Sequence, residues 1–239
     1  MICIFCGSDN KNNSIPHIIP ESLGGKKSPI GKDGVTCDNC NQYFGQKVES
    51  KALNSFPFIC YRVLASVASK KNKMPSMKSN SGGRIQAAGI PGFISVEADD
   101  EKTIQMINGG SKTQLRIVAE VTEPLPVCRM LLKIGLEQLS KEFYDVAISN
   151  RVLEARKFAR NPGRGNSWWF ILKNNPEELL SKAIPEHESS IEIIEMQGVL
   201  TSVLTMPGIS TLTPLEAGAY PPERGEMLAP EYRVIWATC

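Results

Sequence analysis

The chain has 239 residues, 41% of them hydrophobic and 22% charged, with a formal net charge of +2. That is an ordinary globular composition, with room for one large domain or for a small module joined to a larger one. No apolar run approaches the ~20 residues that span a bilayer, which excludes a transmembrane helix, and no internal repeat or low-complexity segment is present.

The charge is unevenly spread. Residues 1–90 hold 12 Lys/Arg against 5 Asp/Glu, a balance of +7; residues 91–239 hold 15 against 20, a balance of −5. A basic N-terminal lobe can meet a polyanion, although a lysine-rich solvated face has the same composition. No basic segment followed by an apolar one precedes Cys3, so no signal peptide is expected. Seven cysteines, four of them in Cys-x-x-Cys pairs, fit a reducing cytoplasm and a bound metal better than a disulfide framework.

In chain order, residues 1 to about 55 form a cysteine module dense in Asn, Gly and Ser. Within it a short helix is predicted over 41–53, with Tyr43, Phe44, Val48, Ala52 and Leu53 available for one face. Residues 70–92, "KKNKMPSMKSNSGGRIQAAGIPG", read as a basic loop or connector. "FISVEA" and "QLRIVAEVTE" have strand character, with a turn at "INGG" between them. "PVCRMLLKIGLEQLSKEF" places Leu131, Leu132, Leu136 and Leu139 at helical spacing after two prolines, and "YDVAISNRVLEARKFARN" continues the helical region. The tail returns to strands at "WWFILK", "SIEIIEM", "GVLTSVLTM" and "YRVIWAT". The fold class is therefore α+β. The predicted division is 1–55 as module, 56–92 as basic connector, and 93–239 as a mixed sheet-plus-helix domain for substrate positioning or dimerisation.

Cys3 and Cys6 are two residues apart, as are Cys37 and Cys40, with 30 residues between the pairs. That spacing lets each tight turn present two thiolates, and two such turns complete a zinc tetrahedron. A module this small lacks a sufficient core, so the metal contributes much of its folding energy. Cys60 and Cys128 read as small buried hydrophobes and Cys239 as a terminal thiol. A zinc staple leaves His17 and Asn41 unexplained: the first lies in "IPHIIP", the second directly follows Cys40, and the staple fixes the distance between them. A lone His is more commonly structural than catalytic, and both readings stand at this point. Trp168 and Trp169 suit base stacking or, more commonly, a strand's core or edge.

"CIFCGS", "PHIIPESLGG", "CDNCNQYFG" and "VES" together resemble the HNH endonucleases, in the branch with a four-cysteine zinc site and a His-Ile-Ile-Pro strand followed by Leu-Gly-Gly. The resemblance covers residues 3 to about 53. It implies a ββα-metal module that hydrolyses DNA phosphodiesters, in a setting such as restriction or phage defence. It further implies His17 as general base, Asn41 as the residue that orients it and braces the hairpin, and one Mg²⁺ or Mn²⁺ separate from the zinc. Family ligands for that ion come from the acid before the His and from the helix eight or nine residues beyond the Asn. Here Pro16 stands in the first position, while Glu49 meets the second. Ser14, Glu21 and Asp38 are the candidates to replace the missing acid, and Glu49 has the alternative of pairing with Lys47 or Lys51. Lys26, Lys27, Lys70, Lys71 and Lys73 lie in loops that can track DNA phosphates. A homodimer is compatible with this organisation. The alternative is a non-catalytic, zinc-stapled nucleic-acid-binding protein, with Pro16 as the mark of a degenerate site.

Overall fold

The computed structural model describes residues 1–9, 14, 16–24, 30–31, 34–69, 72–78, 83–98, 101, 104–105, 120–175, 178, 189–222 and 231–239. Its architecture is α+β, with helices and two antiparallel sheets. The N-terminal region carries α1 (Glu21–Gly24) and α2 (Asp38–Tyr43), the latter continuing without a break through a π-helical stretch (Phe44–Glu49) into α3 (Ser50–Ala52). This helix starts three residues earlier than its apolar spacing predicts, because Cys37 caps it in an extended conformation.

Next comes α4 (Phe58–Leu64), six of whose seven residues are buried. A three-stranded antiparallel meander packs on it: β1 (Ser76–Lys78), β2 (Arg84–Ala87) and β3 (Ile94–Glu97). Two of these strands lie where Gly, Ser and Pro content predicts only a connector. Ile85 and Ala87 are buried and Met77 packs on the core, so tertiary burial overrides a weak local preference. Most of the strand predicted over 114–123, and the turn before it, lie outside the described residues.

At the centre runs α5 (Pro124–Glu142), 19 residues long and opened by proline in its first turn, where the missing N–H costs nothing. Thirteen of its residues are buried, which a helix shows when other elements surround it. It packs on the π-helical stretch of the module on one side and on the larger sheet on the other. The second predicted helix divides into α6 (Tyr144–Ile148), a 3₁₀ turn (Asn150–Val152) and α7 (Leu153–Arg160), with Ser149 extended between them.

The larger sheet is β4 (Ser167–Asn174), β5 (Ser190–Met196), β6 (Val199–Met206), β7 (Ile209–Pro214) and β8 (Tyr232–Thr238), all antiparallel, in the order β5-β6-β7-β4-β8. Gln197 and Gly198 both take positive φ in the two-residue β5–β6 turn, the type I′ geometry that matches strand twist. Trp168, Phe170 and Leu172 point into the core. Trp169 lies on the opposite face, yet both tryptophans are buried, with their indole N–H groups donating to the carbonyls of Pro214 and Ala219. Neither ring is available to stack on a base. One apolar cluster joins Ile18, Phe44 and Val48 of the module to Leu131, Ile134 and Leu136 of α5.

Helix α5 lies close against the sheet at Gly135. A Cβ built there would lie 2.6 Å from the Cβ of Ser202 and 2.9 Å from a Leu215 methyl. Alanine is the better helix former by about 1 kcal/mol, but overpacking costs about 1–3 kcal/mol, and both contacts are with sheet-side atoms. Gly135→Ala is therefore expected to lower the melting temperature despite its propensity, measured by thermal unfolding against a helical glycine control with open space, Gly45→Ala, whose added Cβ meets nothing within 4 Å.

Candidate functional site

The two Cys-x-x-Cys turns close on each other. Gly7 takes φ +70 and donates its N–H to the Cys3 carbonyl at 2.8 Å, which folds the first turn back on itself. Ile4 N–H donates to the Val35 carbonyl and pins that turn to the segment leading into the second. The four sulfurs all lie within 4.8 Å of one another, with Cys6 and Cys37 at 3.6 Å. A tetrahedral Zn–S₄ site, with bonds of ~2.3 Å, places its sulfurs ~3.8 Å apart. The donor set thus fits a metal such as zinc. Two donors favour the thiolate form: Cys37 N–H to Cys3 Sγ at 3.4 Å, and Arg160 Nε to Cys40 Sγ at 3.5 Å.

Arg160 comes from α7, far along the chain. Its guanidinium also stacks on the Tyr43 ring, 3.6 Å from the centroid, while Arg129 donates to the Tyr43 hydroxyl at 2.8 Å. Arg129 further donates to the carbonyls of Ala159 and Arg160, so α5, α7 and the module helix are locked at one point.

His17 forms a single antiparallel bridge with Ile30, closed by Gly31 N–H to the Pro16 carbonyl at 2.9 Å. Its ring is half-buried. Nε2 lies 2.9 Å from a Glu21 carboxylate oxygen, and Nδ1 is a buried polar atom without a hydrogen-bond partner. Of the three candidates to replace the acid absent at Pro16, Glu21 is the one placed against His17. Ser14 and Asp38 bond each other, through Ser14 Oγ at 2.6 Å and its N–H at 3.1 Å. Asn41 donates its amide to Ser14 Oγ at 3.3 Å, bracing the start of the hairpin.

Glu49 pairs with Lys133 of α5 at 3.0 Å, rather than with its helix neighbours Lys47 or Lys51. The Lys133 ammonium also meets Glu137 at 3.0 Å and the His17 carbonyl at 3.0 Å, and Glu137 accepts from Thr36 Oγ1 at 2.8 Å. Burial opposes the charge on Lys133, but Glu137 and Glu49 outweigh it and hold its pKa above the ordinary value. Sequence reasoning missed Lys133 and Glu137. An i, i+4 Lys–Glu pair on a helix reads as a solvated surface pair, and nothing local marks it as buried. Lys73 is exposed; Lys26, Lys27, Lys70 and Lys71 lie outside the described residues.

Residues 3–57 match the family model described as HNH endonuclease. The chain thus carries an HNH domain at its N-terminus, and the matched span contains the four cysteines, His17, Asn41 and Glu49. No match to the chain was found among curated proteins or among solved structures. Among the described residues no helix is long and apolar enough to cross a membrane.

Two outcomes are expected from this geometry. Elemental analysis of purified protein should find about one zinc per chain, and Cys37→Ser should release it and lower the melting temperature. The second concerns pH. Burial raises the Glu137 carboxyl from an ordinary 4.5 to about 7, against the pull of Lys133. The folded protein therefore holds this proton more tightly than the unfolded chain. Its stabilising contribution is whole below pH ~4.5 and is lost as pH rises through about 7. In melts from about pH 4 to 8, wild type should lose stability relative to Glu137→Gln as pH rises; metal loss in acid affects both and cancels in the difference. Parallel curves would show that Glu137 titrates alike in both states.

Proposed function

We propose that the HNH domain is a divalent-metal-dependent endonuclease that hydrolyses DNA phosphodiester bonds, with a zinc ion on Cys3, Cys6, Cys37 and Cys40. The observation that carries this reading is His17, whose two ring nitrogens have different surroundings within a span matching the HNH endonuclease family. Glu21 accepts a hydrogen bond from Nε2–H, which selects the tautomer with the lone pair on Nδ1. That leaves Nδ1, buried in the free protein, as the basic nitrogen with no protein partner, and on this reading substrate binding brings the attacking water to it. Asn41 holds the hairpin strand through Ser14, and Lys133 holds the same strand through the His17 carbonyl, so the ring is fixed from both ends. Glu49 is the residue that would hold Mg²⁺ or Mn²⁺; when bound, such an ion would stabilise charge on the scissile phosphate and the leaving oxygen. Because Glu49 Oε1 already pairs with Lys133, a cation there shares its carboxylate with an ammonium. Lys26, Lys27, Lys70, Lys71 and Lys73 supply the sequence-independent grip on the phosphate backbone. A setting in DNA restriction or phage defence, within the cytoplasm, belongs to the same proposal, as does division of the chain into an HNH module and a positioning body.

A second reading is favoured by Pro16, which offers no ligand atom, and by the engagement of Glu49 with Lys133: a zinc-stapled domain that binds nucleic acid without cutting it. Plasmid cleavage in manganese separates the two. On the nuclease reading, His17→Ala lowers the rate by ~10²–10⁴ with zinc content and DNA affinity unchanged. Glu21→Gln gives a smaller loss, and Pro16→Glu raises magnesium-dependent cleavage. Wild type and Pro16→Glu both inert on every DNA and RNA tried would leave only the binding reading.

A further inference from the structure

Cys40 and Tyr43 stand three residues apart on α2, so the sulfur and the phenol ring share one face of that helix. One guanidinium from far along the chain meets both. Arg160, the last residue of α7, donates its Nε–H to Cys40 Sγ at 3.5 Å and places its central guanidinium carbon 3.6 Å from the Tyr43 ring centroid. The approach is held from behind. The carbonyls of Ala159 and Arg160, at the end of α7, lack helical partners, and both accept from Arg129 of α5 at 2.9 Å. Arg129 also donates to the Tyr43 hydroxyl at 2.8 Å. The end of α7, the ring against Arg160 and the helix that carries Cys40 are thereby fixed relative to one another.

Anchoring alone does not call for the contact with sulfur. Arg129 already ties α7 to α5 and to Tyr43, and Arg160, half-buried at a helix end, has water as an alternative partner for its charge. Cys40 has no such alternative, because it is buried. Four thiolates around one divalent ion carry excess negative charge, and an N–H from a cation is among the strongest hydrogen bonds that charge can be offered. Arginine suits both duties at once, since a flat fork stacks on a ring while it donates from its edge.

We propose that Arg160 is a positioning residue of the cysteine metal site: it stabilises negative charge on the Cys40 sulfur and so keeps the ion on the four thiolates. The proposal rests on the reading of the cluster as a zinc site and on nothing about DNA or catalysis. Partners that hydrogen-bond a metal's ligands from outside are worth about 10–100-fold in metal affinity. Arg160 lies beyond residues 3–57, the span that matches the HNH model, so zinc retention by the module depends on a side chain of the body.

The test compares full-length wild type with Arg160→Met, which keeps an apolar stem and removes both charge and donor. Each protein is loaded with cobalt(II), whose thiolate charge-transfer absorption reports electron density on sulfur, and separately with zinc, whose affinity is read by competition with a chelator. Arg160→Met should move the cobalt absorption to longer wavelength and lower zinc affinity by about 10–100-fold. Arg160→Gln, with an N–H donor and no charge, should fall between, and it carries the comparison if the methionine variant does not fold. Gly135→Ala, destabilised where α5 meets the sheet, is the control for a purely structural effect. Its cobalt spectrum should match wild type and its zinc affinity should stay within a few-fold. An unmoved absorption in the Arg160 variants, or zinc loss no greater than in Gly135→Ala, overturns the proposal and leaves Arg160 as packing alone. Wild type that takes up neither ion removes the zinc reading and the proposal with it. Wild type that binds both ions, with the Arg160 variants indistinguishable from it, removes the proposal alone.

Discussion

The Lys133 ammonium is the interaction on which the candidate site depends. It is buried, and its acceptors are three oxygens from three places: the His17 carbonyl in the hairpin, Glu49 at the end of the π-helical stretch, and Glu137 one turn along its own helix. Glu137 in turn holds Thr36, the residue before the second cysteine pair. Taking an ammonium and a carboxylate out of water costs several kcal/mol each, and near-complete hydrogen bonding offsets that cost. The arrangement is therefore intolerant of partial loss. Removing the lysine strands Glu137 in the core, and moving the hairpin removes the carbonyl that completes the ammonium. The distance between His17 and Glu49 is thus set by a residue more than 80 positions away in the body.

A second tether acts on the cysteine cluster. Arg160 bonds the Cys40 sulfur and stacks on Tyr43, and Arg129 joins that ring to the C-terminal end of α7. Four thiolates on one zinc leave two net negative charges, and a guanidinium beside one sulfur offsets part of that excess. The cysteine cluster and the His17 hairpin are each anchored to α5 or α7 by a cation, while one apolar cluster includes residues of both. An N-terminal fragment ending near residue 57 would lose both cations and expose Phe44 and Val48, so the matched family span draws part of its packing from the rest of the chain.

What was legible in the sequence follows from the range of each interaction. The cysteine pairs announce themselves by spacing, and α5 by Leu131, Leu132, Leu136 and Leu139, because these signals are local. Strand β4, with β5, β6 and β8, is dense in β-branched and aromatic residues and reads directly. Strand β7, "ISTLTP", was hidden because Thr211 and Thr213 are buried polar residues that give the pattern of a solvated segment. Helix α4, "FICYRVL", is buried on nearly every side and shows no period at all. The division of the second helical region at Ser149 depends on Arg156, which donates to the carbonyls of Ile148 and Ser149 from the following helix. At the site, the resemblance pointed to His17, Asn41 and Glu49, and left three candidates for the acid missing at Pro16. Only geometry shows that Glu21, of these three, lies against His17, since contact depends on how α1 turns back on the hairpin.

The π-helical stretch explains how Asn41 and Glu49 come to serve the same hairpin. Eight residues along an ordinary α-helix rotate by about 800°, which leaves the two side chains roughly 80° apart around the axis. Hydrogen bonding from i to i+5 widens each turn, so a π-helical residue advances by roughly 80° in place of about 100°. Over the five steps from Phe44 to Glu49 the rotation falls short by roughly 100°, and Glu49 swings back to the face that Asn41 occupies. Both contacts agree with this: Asn41 meets Ser14 at the start of the hairpin strand, and Glu49 meets the lysine that holds the carbonyl of His17. Phe44 and Val48 remain fully buried through the same stretch, so the wider turn is held in place by the core it packs against. A π-helical turn is less favourable than an α-helical one in isolation, and it persists here because the hairpin, Lys133 and the apolar cluster all require the register it provides.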